Sequence, residues 1–328
     1  MRLLFAGTPI FTAPVLEMLA EEFDLCAVLT NPPARKGRSK KLSPSDLAVE
    51  FSRLKNSGVI KKDTPLFETI AFDDEFKEKI KDLNLDLLIC FAYGKIFKPD
   101  VISLFSLGGI NIHPSILPRW RGATPVPAAI CNGDKETGVT IQTLADKLDC
   151  GKILTCFKRE IGRSTSKELL ETLAKDSIPL LRDVLNNFSD YVKNAKEQDA
   201  CSSTYCSVFK KNAGKINWEH SACEIDCLIR AVHTNPGAFS FFGTERINIL
   251  EASVFEDEKF DEKKAKNEMT KSKEFGKILG VDSKAGILVQ TGLGILAISR
   301  LQRPSKKPLF WKDFLNGFPK FVDGRFDN

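Results

Sequence analysis

No stretch of this 328-residue chain approaches the about 18 consecutive apolar residues of a membrane-crossing helix, although 42% of its residues are hydrophobic. The opening MRLLFAGTPIF runs directly into Glu17, Glu21 and Glu22, without the apolar region and small-residue cleavage site of a secretory leader. These absences point to a soluble cytoplasmic protein with no membrane partner. An even cysteine framework is missing too, because nine cysteines in a chain of this kind read as reduced thiols. Phosphate loops are equally lacking. No G-x-x-x-x-G-K occurs, the first strand ends in Gly7-Thr8-Pro9 without a second spaced glycine, and Gly292 to Ala297 matches a dinucleotide pattern only in letters. That last segment joins two strand-like runs and opens no helix, so it reads as a hairpin. The net charge of +5 is too small for a nucleic-acid coat, yet Arg35, Lys36, Arg38, Lys40 and Lys41 crowd into RKGRSKK and favour a local anionic partner.

What is present is an alternation. RLLFAG, LCAVLT, LDLLICFAY and LGGINIH are strand-like, and helical patterns separate them, with Thr12 placed to cap the first helix. Repeated units of this kind predict a mostly parallel sheet covered by helices on both faces, with function at the carboxyl ends of its strands. A further helix is expected from Thr165, three residues before Glu168 as in a capping box, bent at Pro179. NAKEQDACSS is polar and weakly patterned, which predicts a linker over 191–205 between domains at 1–190 and 206–328. The last third carries INILEASV, KILGV, GILVQT and GILAISR, short strands with glycine turns that predict a small barrel.

The chemistry gathers at NIHPSILPRWRG. Side chains alternate along a strand, so Asn111 and His113 share one face while Ile110 and Ile112 take the other. Downstream, Asp149 lies in a glycine-containing turn between two apolar runs, placed to bring a carboxylate to the same crevice. An amide, an imidazole and a carboxylate can donate to an oxyanion, move a proton and orient the group that moves it. No nucleophile accompanies them, which suggests an acyl-type transfer whose attacking group belongs to the substrate. His220, Cys223 and Cys227 form a possible soft-ligand face, but their spacing matches no standard zinc site and they read as reduced surface thiols.

Across nearly its whole length the sequence resembles the methionyl-tRNA formyltransferases of the folate-dependent formyltransferase superfamily. The motifs are FAGTP, RKGRSKKLSP, FAYG, NIHPSILPRWRGATP, TGVTI, LDCG and, in the last third, GKINW, NPGA and QRPSKKP. The resemblance implies a Rossmann-like catalytic domain, an OB-like C-terminal tRNA-binding domain and no metal. It also implies a monomeric enzyme moving a formyl group from 10-formyltetrahydrofolate to the amine of methionyl-initiator tRNA. It makes Asn111, His113 and Asp149 catalytic, with Asp149 expected to hold the His113 tautomer. Phe91, Ala92, Tyr93, Gly94, Ser115, Ile116, Leu117 and Pro118 would border the folate, and Arg35, Lys36, Arg38, Lys40 and Lys41 the tRNA. The turn departs from the family's Gly-Leu-Asp-Thr-Gly-Asp by carrying Lys147 and Lys152. Formyltransferases with small acceptors, a hydrolase of the donor and a silent RNA-binding protein are the rival readings. The basic loop and C-terminal domain argue against a small acceptor, and the intact trio argues against silence.

Overall fold

Leu3, Leu4, Phe5 and Ala6 are fully buried, the signature of a strand covered on both faces, and form β1 (Arg2–Gly7) at the heart of a seven-stranded sheet. β2 (Asp24–Thr30) lies parallel to it, while β3 (Ala34–Arg35) and β4 (Leu42–Ser43) make a separate ribbon. β5 (Leu66–Glu68), β6 (Leu87–Phe91) and β7 (Gly109–His113) complete the parallel part, in the order β7-β6-β1-β2-β5. β8 (Arg121–Gly122) stands apart, whereas β9 (Glu136–Thr143) and β10 (Ile153–Glu160) extend the sheet beyond β7 in antiparallel pairing. This computed structural model describes residues 1–35, 41–233, 235–255 and 274–327.

Helices α1 (Ala13–Glu22), α2 (Asp46–Asn56) and α3 (Asp74–Asp82) follow the first strands. Ser45 and Asp73 cap α2 and α3 by accepting from the Ala48 and Phe76 amides. Thr12 does not cap α1: its hydroxyl donates to the Pro9 carbonyl at 2.8 Å, and Pro14 sits in the first turn instead. α4 (Pro99–Ile102) and α5 (Pro125–Cys131) are short, and α6 (Ser166–Asn186) continues through Pro179. Its expected capping box is present, with Thr165 N–H donating to Glu168 and the Glu168 N–H to the Thr165 hydroxyl at 3.3 Å. The stretch expected as a linker is ordered against the first of two compact units. α7 (Phe188–Lys193) leads to Lys196, which bonds Ile153 through both backbone groups, and then to β11 (Tyr205–Cys206), the partner of β8.

In the second unit α8 (Ala222–Ala231) packs its Ile225 and Ile229 into a core with Trp218, Ile247, Ile287 and Leu296. Around that core curls an antiparallel sheet of β12 (Phe239–Phe242), β13 (Glu245–Val254), β14 (Ile278–Asp282), β15 (Gly286–Gln290) and β16 (Ile295–Gln302), ordered β12-β13-β16-β15-β14, with β17 (Leu309–Phe310) on β16. The Gly292–Gly294 segment is the β15–β16 hairpin, as its sequence predicts. The proposed thiol-rich surface is corrected here. Ser221 and Glu224 form the capping box of α8, which leaves His220 outside the helix, and Cys227 is buried, its thiol pushed up to about 11 chiefly by that burial. The preceding residue, Asp226, is also buried, clamped by Arg163 at 2.9 Å and Arg230 at 3.0 Å.

Candidate active site

β7 ends the parallel run, and its register puts Asn111 beside Cys90 of β6 and Gln142 of β9, with His113 beside Thr140. Laterally paired residues share a sheet face, so Cys90, Asn111 and Gln142 form one row at the carboxyl edge. Ile110 and Ile112 fill the opposite face, as the period of two predicts.

The β9–β10 connection then delivers Asp149. Asp149 adopts φ +54°, a left-handed conformation that Asp tolerates better than most residues. Gly151 is required two positions later, because a Cβ there would lie 1.7 Å from the Thr143 carbonyl oxygen. The Asp149 carboxylate is held by N–H groups. Asn111 Nδ2 and Gln142 Nε2 donate to Oδ1 at 3.3 and 3.2 Å, and the Gly122 amide donates to Oδ2 at 2.8 Å. His113 Nδ1 faces the same Oδ1 at 3.5 Å, with both side chains almost wholly buried.

His113 Nε2 lies 2.9 Å from the Trp120 carbonyl. A carbonyl only accepts, so Nε2 carries the proton in the neutral ring and Nδ1 presents its lone pair. Trp120, a residue at φ +62°, thus holds one ring nitrogen while the other faces Asp149, the residue expected to hold the tautomer. A second layer comes from far along the chain. The Gln198 amide nitrogen lies within 2.9 Å of the Gln142 Oε1, the Asp149 carbonyl and the Gly151 carbonyl, and its Oε1 accepts from Arg121 Nε at 3.0 Å and Nη2 at 2.8 Å. Arg121 in turn donates to the Tyr205 hydroxyl.

Thiols near Asp149 are not nucleophiles. Burial pushes Cys90 up to about 12 and raises Cys206, and the Asp149 charge adds to both, so each remains a protonated thiol.

The other expected residues divide by exposure. Phe91, Tyr93, Ser115 and Leu117 are buried, Ala92 and Gly94 are exposed, and Ile116 and Pro118 are half-buried. Ser115 donates to the Arg119 carbonyl at 2.7 Å, and the Tyr93 hydroxyl donates to the Thr69 carbonyl. Arg35 and Lys41 flank the basic loop, whereas Lys36, Arg38 and Lys40 lie outside the described residues. Among the described residues no cluster of three or more His, Cys, Asp or Glu side chains suits a metal ion, and no helix is long and apolar enough to cross a membrane.

A sheet-edge amide, imidazole and carboxylate on a Rossmann-like sheet suit the transfer of an acyl group. The "Formyl transferase" family model matches residues 1–179 and the "Formyl transferase, C-terminal domain" model residues 209–319. A methionyl-tRNA formyltransferase of Treponema denticola is 52% identical over 328 residues, covering 100% of both chains. One from Treponema pallidum is 42% identical over 325 residues, covering 99% of this chain and 98% of that protein. Among solved structures, a Clostridium thermocellum methionyl-tRNA formyltransferase shares the fold with a TM-score of 0.54 at 17% identity, covering 78% of this chain and 94% of its own. HypX from Aquifex aeolicus in complex with tetrahydrofolic acid gives a TM-score of 0.61 at 15% identity, covering 98% of this chain and 48% of its own. The chain belongs to the methionyl-tRNA formyltransferase family.

Proposed function

We infer that this protein transfers the formyl group of 10-formyltetrahydrofolate to the α-amine of methionyl-initiator tRNA, with Asn111, His113 and Asp149 doing the chemistry. The observation that supports this reading is His113 Nδ1 lying 3.5 Å from Asp149, a buried carboxylate that accepts from the Asn111, Gln142 and Gly122 N–H groups. The neutral amine attacks the formyl carbon and a C–N bond forms. The second Nδ2 proton of Asn111 is available to the oxygen as it becomes negative. His113 Nδ1 takes the amine proton, and the resulting imidazolium is neutralised by Asp149 at no cost in reorganisation. The bond from carbon to the folate nitrogen then breaks, the nitrogen recovers the proton, and tetrahydrofolate leaves.

Ala92, Gly94, Ile116 and Pro118 present the accessible surface for the folate, and Phe91, Tyr93, Ser115 and Leu117 support it from beneath. Arg35, Lys36, Arg38, Lys40 and Lys41 hold phosphates of the tRNA, and the C-terminal domain at 206–328 binds the rest of it. The protein acts as a cytoplasmic monomer. The deciding experiment offers 10-formyltetrahydrofolate with charged initiator tRNA and glycinamide ribonucleotide in competition. Formylation of the tRNA alone is expected, and formylation of the ribonucleotide alone would overturn the acceptor.

A further inference from the structure

Gln142 on β9 and Arg121 on β8 are both almost wholly buried. Which way the Gln142 amide points decides what Asp149 meets, because its NH2 end supports a carboxylate and its oxygen end repels one. The contacts around it leave no choice. A guanidinium only donates, so Arg121 Nε at 3.0 Å and Nη2 at 2.8 Å both require the Gln198 oxygen. The Gln198 nitrogen therefore faces the other way, toward the carbonyls of Asp149 at 2.9 Å and Gly151 at 2.8 Å, which only accept. The same nitrogen reaches the Gln142 oxygen at 2.9 Å, and this turns the Gln142 nitrogen onto Asp149 Oδ1 at 3.2 Å.

We propose that Gln142 is a positioning residue for the formyl transfer, and that its donor face is set from Arg121 through Gln198. The inference rests on the roles assigned above to Asp149 and His113. All five residues belong to the first unit. The charge of Arg121 is thereby passed to Asp149 as the fixed orientation of two neutral amides. A glutamine free to turn would donate to the carboxylate in one orientation and repel it in the other. The groups that titrate beside Asp149 are His113 on β7, Cys90 on β6 and Cys206 on β11, and burial keeps both thiols protonated. Asp146, Lys147 and Lys152 of the same turn are exposed, the last paired with Glu197 at 3.0 Å.

Single-turnover formylation of charged initiator tRNA, followed across pH on the full-length protein, tests this. Gln142→Met keeps the volume and removes the donor. Its rate should fall roughly tenfold, the lower end for one hydrogen bond to a charged group. The acid limb of its profile should also move up by about one unit, since a carboxylate that has lost a donor is protonated more readily. Arg121→Met should move the limb the same way with both glutamines in place, and Arg121→Lys, which still only donates, should return it. Gln142→Met added to Gln198→Met should lose little more than Gln198→Met alone, as links of one chain do. An unmoved limb in Gln142→Met overturns the proposal whatever its melting temperature, because a purely structural role would lower stability and leave the profile in place. A limb that moves in Gln142→Met and stays put in Arg121→Met overturns the relay. A wild type that formylates no tRNA overturns the transfer reading itself, and this inference with it.

Discussion

Two aspartates are buried to nearly the same degree and are held in opposite ways. Asp226 in the second unit sits between two guanidinium groups, Arg163 and Arg230. Asp149 in the first unit is held by the N–H groups of Asn111, Gln142 and Gly122, with His113 alongside. A buried carboxylate must be hydrogen-bonded, and either solution satisfies it. Only the second does so without an arginine or lysine against the carboxylate among the described residues. Fixed cations make an anchor, while neutral donors suit the transition-state role proposed for Asp149.

The largest effects should separate the two. His113→Ala, Asn111→Ala and Asp149→Asn are each expected to lower kcat by about 10²–10⁴ with an almost unchanged melting temperature. Single-turnover formylation and a thermal melt on the same samples decide this. Near-normal rates in two of the three would remove the distinction. Asp226→Asn should do the reverse, leaving kcat per folded molecule intact while costing about 3 kcal/mol, since Arg230 is left buried without a counter-charge. Urea unfolding followed by the emission of Trp218, buried in that unit, reads it.

A smaller effect sharpens the comparison. Gln198→Glu keeps the shape and the Arg121 contact, but it turns an oxygen toward the carbonyls of Asp149 and Gly151. A roughly tenfold loss in kcat is expected from about 1.4 kcal/mol of displaced turn, with the KM for tRNA retained. An unchanged kcat would show that the turn holds itself. The smallest effect lies outside both aspartates. Lys40→Ala with Lys41→Ala should weaken use of the tRNA and flatten its salt dependence by roughly 0.7 per lost contact, with folate affinity preserved. Filter binding across a salt series measures the slope.

Local signals made part of this readable from the sequence. The period of two placed Asn111 and His113 on one face, the glycine turn pointed to Asp149, and the alternation of strand and helix predicted the parallel sheet. The reversed edge is what places Gln142 beside Asn111, and that depends on the register between β7 and β9. Gln198 and Tyr205 reach the site only because a polar segment, patterned like a linker, runs back along the first unit. The Trp120 carbonyl and the Gly122 amide are backbone groups, and side-chain identity carries no signal for them. Cys227 misled the surface reading because Arg230, which reaches Cys227 Sγ at 3.4 Å and the Ser164 carbonyl at 3.1 Å, ties a distant segment of the same unit over that face of α8, a contact that helix periodicity does not signal.

The Gly122 amide proton is aimed at a buried carboxylate oxygen 2.8 Å away. Such a proton should resonate far downfield in an NMR spectrum and exchange slowly with solvent. Its shift will follow changes in that hydrogen bond as a ligand reaches the site. The enzyme therefore carries a built-in, label-free reporter of the surroundings of Asp149, readable on addition of each substrate in turn.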